Sequence, residues 1–171
     1  MKESETEVRE QLVALLPRLR RLARTIARSA ADADDLVQVT VERALLHFEQ
    51  RRPDSRLESW MFGIMKHAWI DEVRSRARRD RLFAPEEAGE HVGEATDQRQ
   101  LEAMAMQSAL AKLPDEQRLA VGLVLIEGLS YKEAAEVMEV PIGTLTSRLA
   151  RAREALVAIL NEGTLKEGAV S

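Results

Sequence analysis

The chain contains no cysteine. That excludes disulfides, thiol nucleophiles and zinc–thiolate sites, and it fits a cytoplasmic protein. Aromatic residues supply only 4% of the sequence, against 45% hydrophobic residues overall, so the apolar content is mostly Leu, Ala and Val. A core drawn from those residues favours helices over sheets. No apolar run approaches the roughly 20 residues of a membrane span. The opening MKESETEVRE is charged and lacks the apolar stretch of a signal peptide, so no membrane insertion is expected. A phosphate-binding glycine loop is also missing. The histidines, His47, His67 and His91, are scattered, with no carboxylates at metal-ligand spacing. The sequence therefore predicts no metal, no cofactor and no enzyme chemistry. It also lacks an excess of positive charge: the formal net charge is −4. A protein that holds free DNA by electrostatics alone is usually basic.

What charge there is lies unevenly. Residues 1–80 hold 16 Lys and Arg against 14 Asp and Glu, residues 81–110 hold 2 against 6, and residues 111–171 hold 7 against 9. The acidic middle reads RLFAPEEAGEHVGEATDQR, with Pro, two Gly and few large apolar residues. It is expected to be a flexible, self-repelling linker over residues 81–99. Apolar spacing on both sides is helical, with no strand alternation. The expected fold class is all-α, with small helical domains over 1–80 and 100–165 and a frayed tail over 166–171.

In the first domain, Leu12, Val13, Leu15, Leu16, Leu19, Leu22 and Ile26 mark a helix that Pro17 should interrupt or kink. A second helix is expected from about Asp32, read as its N-cap, and a third from Leu57 to about Arg79. In the second domain, Pro114 suits a helix start and Gly128 a helix end. Ser130 and Glu133 then form an S-x-x-E capping box, and a turn at Val140–Gly143 leads into TLTSRLARAR. A short helix, a tight turn and a helix carrying donors near its start is the helix-turn-helix pattern. Ile142, Leu145, Leu149, Ala152, Leu156 and Ile159 are spaced 3, 4, 3, 4 and 3 and should pack inward. Thr144, Thr146, Ser147, Arg148, Arg151 and Arg153 are the candidate DNA contacts. A major groove about 12 Å wide admits such a helix, and arginine can bind a guanine edge with two hydrogen bonds. The competing reading is a solvated helix whose arginines pair with nearby glutamates.

The stretch from Leu113 to Leu156, with its LPDEQR, EGLSYKEAA and PIGTLTSRLARAR runs, resembles the C-terminal promoter-binding domain of bacterial sigma factors of the extracytoplasmic-function type. The resemblance implies that this helix reads a promoter's −35 element. DADDLVQVTVERAL resembles the sigma segment that docks on the clamp helices of the polymerase β′ subunit. Asp35, Gln38, Glu42 and Glu49, spaced 3, 4 and 7, share one helical face, and with Asp34 they offer an acidic strip to a basic partner. An ordinary solvated face is the alternative. Val39 stands where the family often has an acid. Asp32, Asp34 and Asp35 are read as a cap with a docking face rather than a metal or phospho-acceptor cluster.

LESWMFGIMKHAWIDEVRSRARR resembles the helix that recognises and melts the −10 element. The resemblance places its DNA contacts at Gly63, Lys66, His67, Ile70, Arg74, Arg76 and Arg78. Gly63 would let DNA approach the backbone, and the cations would bind phosphates. Relatives commonly carry Arg at the position of Gly63 and Asn at that of His67. The preceding FEQRRPDSRLES matches the segment that captures an unstacked base. Trp60 is expected in the core.

The implied function is that of an alternative sigma factor. It joins the RNA polymerase core through the β′ clamp helices and the β flap, reads −35 and −10 elements of promoter DNA, aids strand opening, and is held in check by an anti-sigma factor. A stand-alone helix-turn-helix regulator is the alternative, though it would need a dimer surface or a sensor domain. A pure interaction protein would explain the acidic strip but leave the donor helix without a role.

Overall fold

A computed structural model describes residues 4–82 and 97–168, with side chains through residue 163. The described residues form helices and turns, with no strand. In order they are α1 (Glu5–Ile26), α2 (Ala30–His47), a 3-10 turn (Phe48–Gln50), α3 (Leu57–Leu82), α4 (Gln98–Ala111), α5 (Asp115–Val121) running into a π turn (Gly122–Ile126), α6 (Tyr131–Met138) and α7 (Ile142–Gly168). Most of the expected linker, residues 83–96 including His91, lies outside the described residues.

Ser4 starts α1 with a full capping box: its hydroxyl accepts from the Glu7 amide at 3.2 Å, and Glu7 accepts from the Ser4 amide at 2.9 Å. The expected break at Pro17 is absent, and α1 runs through it. An interior proline costs about 3 kcal/mol. Leu12, Leu19, Leu22 and Ile26 are all buried on either side of it, and each such side chain contributes roughly 1.5–3 kcal/mol, so burial outweighs the break. The start of α2 also differs. Ser29 is the N-cap and accepts from the Asp32 amide at 3.1 Å. Asp32 therefore sits in the first turn, where its charge still suits the helix dipole.

In α3, Met61, Phe62, Met65, Ala68 and Trp69 are buried. Trp60, expected in the core, is half-buried at its edge, packed edge-on against Phe48 with ring centroids 6.1 Å apart. α4 opens on Asp97, which caps the Gln100 amide at 2.9 Å, and Pro114 is the N-cap of α5. α7 continues to Gly168, so part of the expected tail is helical.

Both halves share one apolar cluster that runs from Leu22, Ile26 and Met65 to Leu119, Leu123 and Leu149. Gly122 makes the closest approach. A Cβ there would meet Leu22 Cδ1 at 2.8 Å and Thr25 Cγ2 at 3.4 Å. Arg118 stitches the seam: it donates to the carbonyls of Leu113 (3.1 Å) and Ile26 (3.2 Å) and to Asp115 at 2.6 Å. It thereby satisfies a carbonyl at the end of α1 that has no partner within its own helix.

Candidate nucleic-acid interface

The C-terminal helix pair is set by local signals. Gly128, at φ 74°, turns the chain out of the π turn in a conformation open to glycine. Ser130 accepts from the Glu133 amide at 3.1 Å and begins α6. Glu139 ends it at φ 57° and ψ 43°, a left-handed conformation uncommon outside glycine. Pro141 then starts α7 by accepting from the Thr144 and Leu145 amides at 3.0 and 3.2 Å.

Leu145, Leu149 and Ala152 are buried, and Leu156 and Ile159 are half-buried. Ile142, expected inward with them, is 49% exposed. It is the first residue of the helix, ahead of the point where α6 covers this face. Ser147 and Arg151, opposite the stripe, and Arg153, at its flank, are exposed, and Thr144 is half-buried. Thr146 is exposed but spends its hydroxyl on the Ile142 carbonyl at 2.9 Å. Arg148 is half-buried and pairs with Glu116 at 3.1 Å. The exposed part of α7 is thus a small donor surface of one hydroxyl and two arginines, with a third arginine beside it.

On α3, His67, Arg74 and Arg78 are exposed, and Gly63 and Ile70 are half-buried. Nothing lies within 4 Å of a Cβ built on Gly63, so this stretch of backbone is open. Arg74 and Arg78, with Arg81 and Ala77, line an open basic hollow at the helix end. Two of the expected contacts are engaged elsewhere. Arg76 pairs with Asp32 of α2 and, at 3.1 Å, with Glu72. Those carboxylates push its pKa up, Asp32 foremost. Lys66 is only 4% exposed, and its Nζ donates to Glu139 Oε2 at 2.9 Å. His67 Nε2 lies 3.6 Å from the other oxygen of that carboxylate. The Lys66 hydrogen bond and charge, more than His67, hold the Glu139 carboxyl below the usual range.

On α2, Asp34, Asp35, Gln38 and Glu42 are all exposed; Glu49, expected on the same helical face, is also exposed but lies in the 3-10 turn beyond the end of α2. Gln38 donates to Glu42 at 3.3 Å. Val39 is half-buried. Leu45 and Leu46, 51% and 77% exposed, prolong the strip with apolar surface. The sequence reading passed over them, because a search for helical periodicity assigns leucines to the core.

Reading along the chain also missed the contacts between the two halves. Glu127, at the end of the π turn, has a fully buried side chain. It accepts from Arg18 Nε at 3.2 Å and from both Nε and a terminal nitrogen of Arg21 at 2.7 Å. Its backbone carbonyl accepts from Arg18 at 2.7 Å. Arg18 also pairs with Glu58 and stacks over Phe62 at 5.3 Å. Glu133 pairs with Arg56 at 3.2 Å. Partners separated by as many as 109 residues leave no periodic signal. The one available clue is that three glutamates, Glu127, Glu133 and Glu139, recur every six residues along the first part of the helix-turn-helix.

Both halves of the chain match known protein families. The family described as Sigma-70 region 2 matches residues 12–79, and Sigma-70, region 4 matches residues 103–156. The chain is 35% identical to the ECF RNA polymerase sigma factor EcfG of Rhodopseudomonas palustris, over 90% of this chain and 84% of that protein. It is 39% identical to the ECF RNA polymerase sigma factor SigM of Mycobacterium tuberculosis, over 83% of this chain and 71% of that one. Among solved structures, the sigma factor RpoE of Bartonella quintana, in complex with the anti-sigma factor NepR, superposes with a TM-score of 0.76. That match has 30% identity and covers 91% of this chain and 97% of the other. CnrH in complex with the cytosolic domain of CnrY gives 0.70 at 26% identity, covering 93% and 90%.

Proposed function

The chain belongs to the ECF branch of the sigma-70 family and is an alternative sigma factor that directs promoter-specific transcription, and from that premise we propose how its surfaces divide the work. The exposed donors of α7, Ser147, Arg151 and Arg153 with Arg148 and Thr144 beside them, read the −35 element in the major groove. Gly63, His67, Ile70, Arg74 and Arg78 of α3, joined by Lys66, meet the −10 element and the strand displaced there. Asp34, Asp35, Gln38 and Glu42 of α2 dock on the β′ clamp helices, with Leu45 and Leu46 adding apolar contact, while the C-terminal half meets the β flap. An anti-sigma protein holds the chain inactive in the cytoplasm; no described helix is long and apolar enough to cross a membrane.

The mechanism is binding and positioning, with no covalent step. Flipping a base out of the duplex costs a few kcal/mol, which two short basic surfaces on a chain of net charge −4 cannot supply on their own. Polymerase core holds both surfaces on one duplex at once, so the second contact is made at a high effective concentration. The observation that carries this reading is the separation of roles on one chain: two donor faces on different halves, and an acidic face on the helix that precedes both in sequence.

The test is run-off transcription with purified core on a promoter-bearing fragment. The chain plus core should yield a defined transcript, and core alone should not. In parallel, a gel shift of promoter duplex with the chain alone should show weak, salt-sensitive binding. Tight, specific binding without core would favour a stand-alone regulator instead.

A further inference from the structure

We propose that Glu139 acts in cis as a phosphate mimic: the turn of the helix-turn-helix occupies Lys66 of α3, so the free chain masks its own −10 surface until its halves separate. This rests on the reading of α3 given above.

Lys66 lies in the middle of the run Gly63, His67, Ile70 and Arg74, whose members are exposed or half-buried, yet it is 4% exposed. Its ammonium is taken by a carboxylate from the other half of the chain at 2.9 Å, a normal charge-assisted distance. The same carboxylate lies 3.6 Å from His67. One acidic group therefore spans two adjacent side chains of the surface that DNA would use, as a single phosphate could. The left-handed turn at φ 57° aims it there.

The mask has supports on either side. Glu133 pairs with Arg56 at 3.2 Å, and the buried Glu127 accepts from Arg18 and Arg21. The row of three glutamates on the C-terminal half thus meets cations of the N-terminal half at each step. A strand at the −10 surface and Glu139 cannot hold Lys66 together, so binding there and the closed arrangement exclude one another. The Glu139 side chain is itself 65% exposed, so it can be displaced without unpacking the core.

The experiment uses the full chain and a short fluorescein-labelled single-stranded DNA, titrated across a range of KCl concentrations. E139Q should bind more tightly than the wild type, and its log–log salt slope should steepen by about 0.7, the value of one added phosphate contact on a single strand. K66Q alone should leave the wild-type slope unchanged, because Lys66 is already occupied. K66Q placed on E139Q should return the slope to the wild-type value. An unchanged slope in E139Q, or a flatter slope in K66Q alone, overturns the mask. Far-UV circular dichroism of E139Q should match the wild type, since the replaced side chain is largely exposed. Run-off transcription with core separates this proposal from the one beneath it. Transcription with a slope indifferent to Glu139 refutes the mask only; no transcription from either form refutes the reading of the chain's surfaces.

Discussion

Replacing Glu127 by glutamine removes one negative charge from the seam between the halves and keeps the size of the side chain. The carboxylate is fully buried and accepts three side-chain hydrogen bonds, at 3.2, 2.7 and 2.7 Å. Breaking a wholly buried ion pair costs about 3–5 kcal/mol, but two features here reduce that. Arg21 is half-exposed and can turn to water, while Arg18 keeps Glu58 and the Glu127 carbonyl. Glutamine retains one acceptor and turns an amide donor toward a guanidinium. The net loss is one to two charge-assisted bonds, about 2–3 kcal/mol. That lowers the closed-to-open ratio by roughly 30- to 150-fold. Because the chain has no native cysteine, Glu10→Cys on α1 and Glu154→Cys on α7, both at exposed positions, can carry a donor–acceptor dye pair. In a urea titration the energy-transfer signal of E127Q should fall at lower urea than in the wild type, ahead of the loss of helical circular dichroism. A double-mutant cycle with Arg21→Gln should show strong coupling. Coincident transitions with additive single effects would refute the claim that this buried carboxylate joins the halves.

Further outcomes follow from the other surfaces. Asp35→Arg reverses a charge on the exposed strip of α2 and should abolish co-purification with polymerase core while leaving thermal stability within about 0.5 kcal/mol, as surface changes usually do. Arg148→Ala should weaken use of −35-dependent promoters in run-off assays by roughly 1–3 kcal/mol, the worth of one bidentate base contact, with core binding intact. Acidification should loosen the contact between α3 and the turn. The Glu139 pKa is lowered in the folded chain by Lys66, so the contact is complete above the ordinary carboxylate range near 4.3 and is lost as pH falls through the lowered value. The salt slope for single-stranded DNA should therefore keep its wild-type value through mildly acidic pH and steepen only below that range.

Much of the local structure was legible because local chemistry sets it. Ser130 and Glu133 announce the start of α6, and Leu145, Leu149 and Ala152 announce the buried face of α7. The strip from Asp35 to Glu42 faces outward because nothing apolar interrupts its polar spacing. The errors share a different cause. Pro17 sits inside a continuous helix because burial on both sides outweighs a local penalty. Ser29 rather than Asp32 caps α2 because either residue type can serve, and the backbone chose the earlier one. Ile142 is exposed because a helical stripe predicts a face, not how far along the helix the neighbour reaches. Lys66 and Arg76 have the right residue type and spacing for phosphate contacts, yet each is paired with a carboxylate. For Lys66 that carboxylate is 73 residues away, beyond any pattern a periodicity can show.

The glutamate row of the C-terminal half divides its work by burial. The Arg56–Glu133 pair is 63% and 29% exposed, and exposed pairs contribute about 0–1 kcal/mol, so it sets register more than strength. Glu127 lies at the opposite limit. Its charge has no route to water while the halves touch, so separation must rehydrate it together with the apolar seam at Gly122 and Leu22. Glu139 is the most exposed carboxylate of the three, but the lysine it holds is buried. A row graded in this way would open from the Glu139 end, where a competing anion gains access at the smallest desolvation cost, and would release Glu127 last. If that order holds, E139Q raises DNA binding without shifting the urea midpoint of the dye signal, whereas E127Q shifts the midpoint. Equal midpoint shifts from the two substitutions would mean that the halves part in a single step and that the grading has no mechanical consequence.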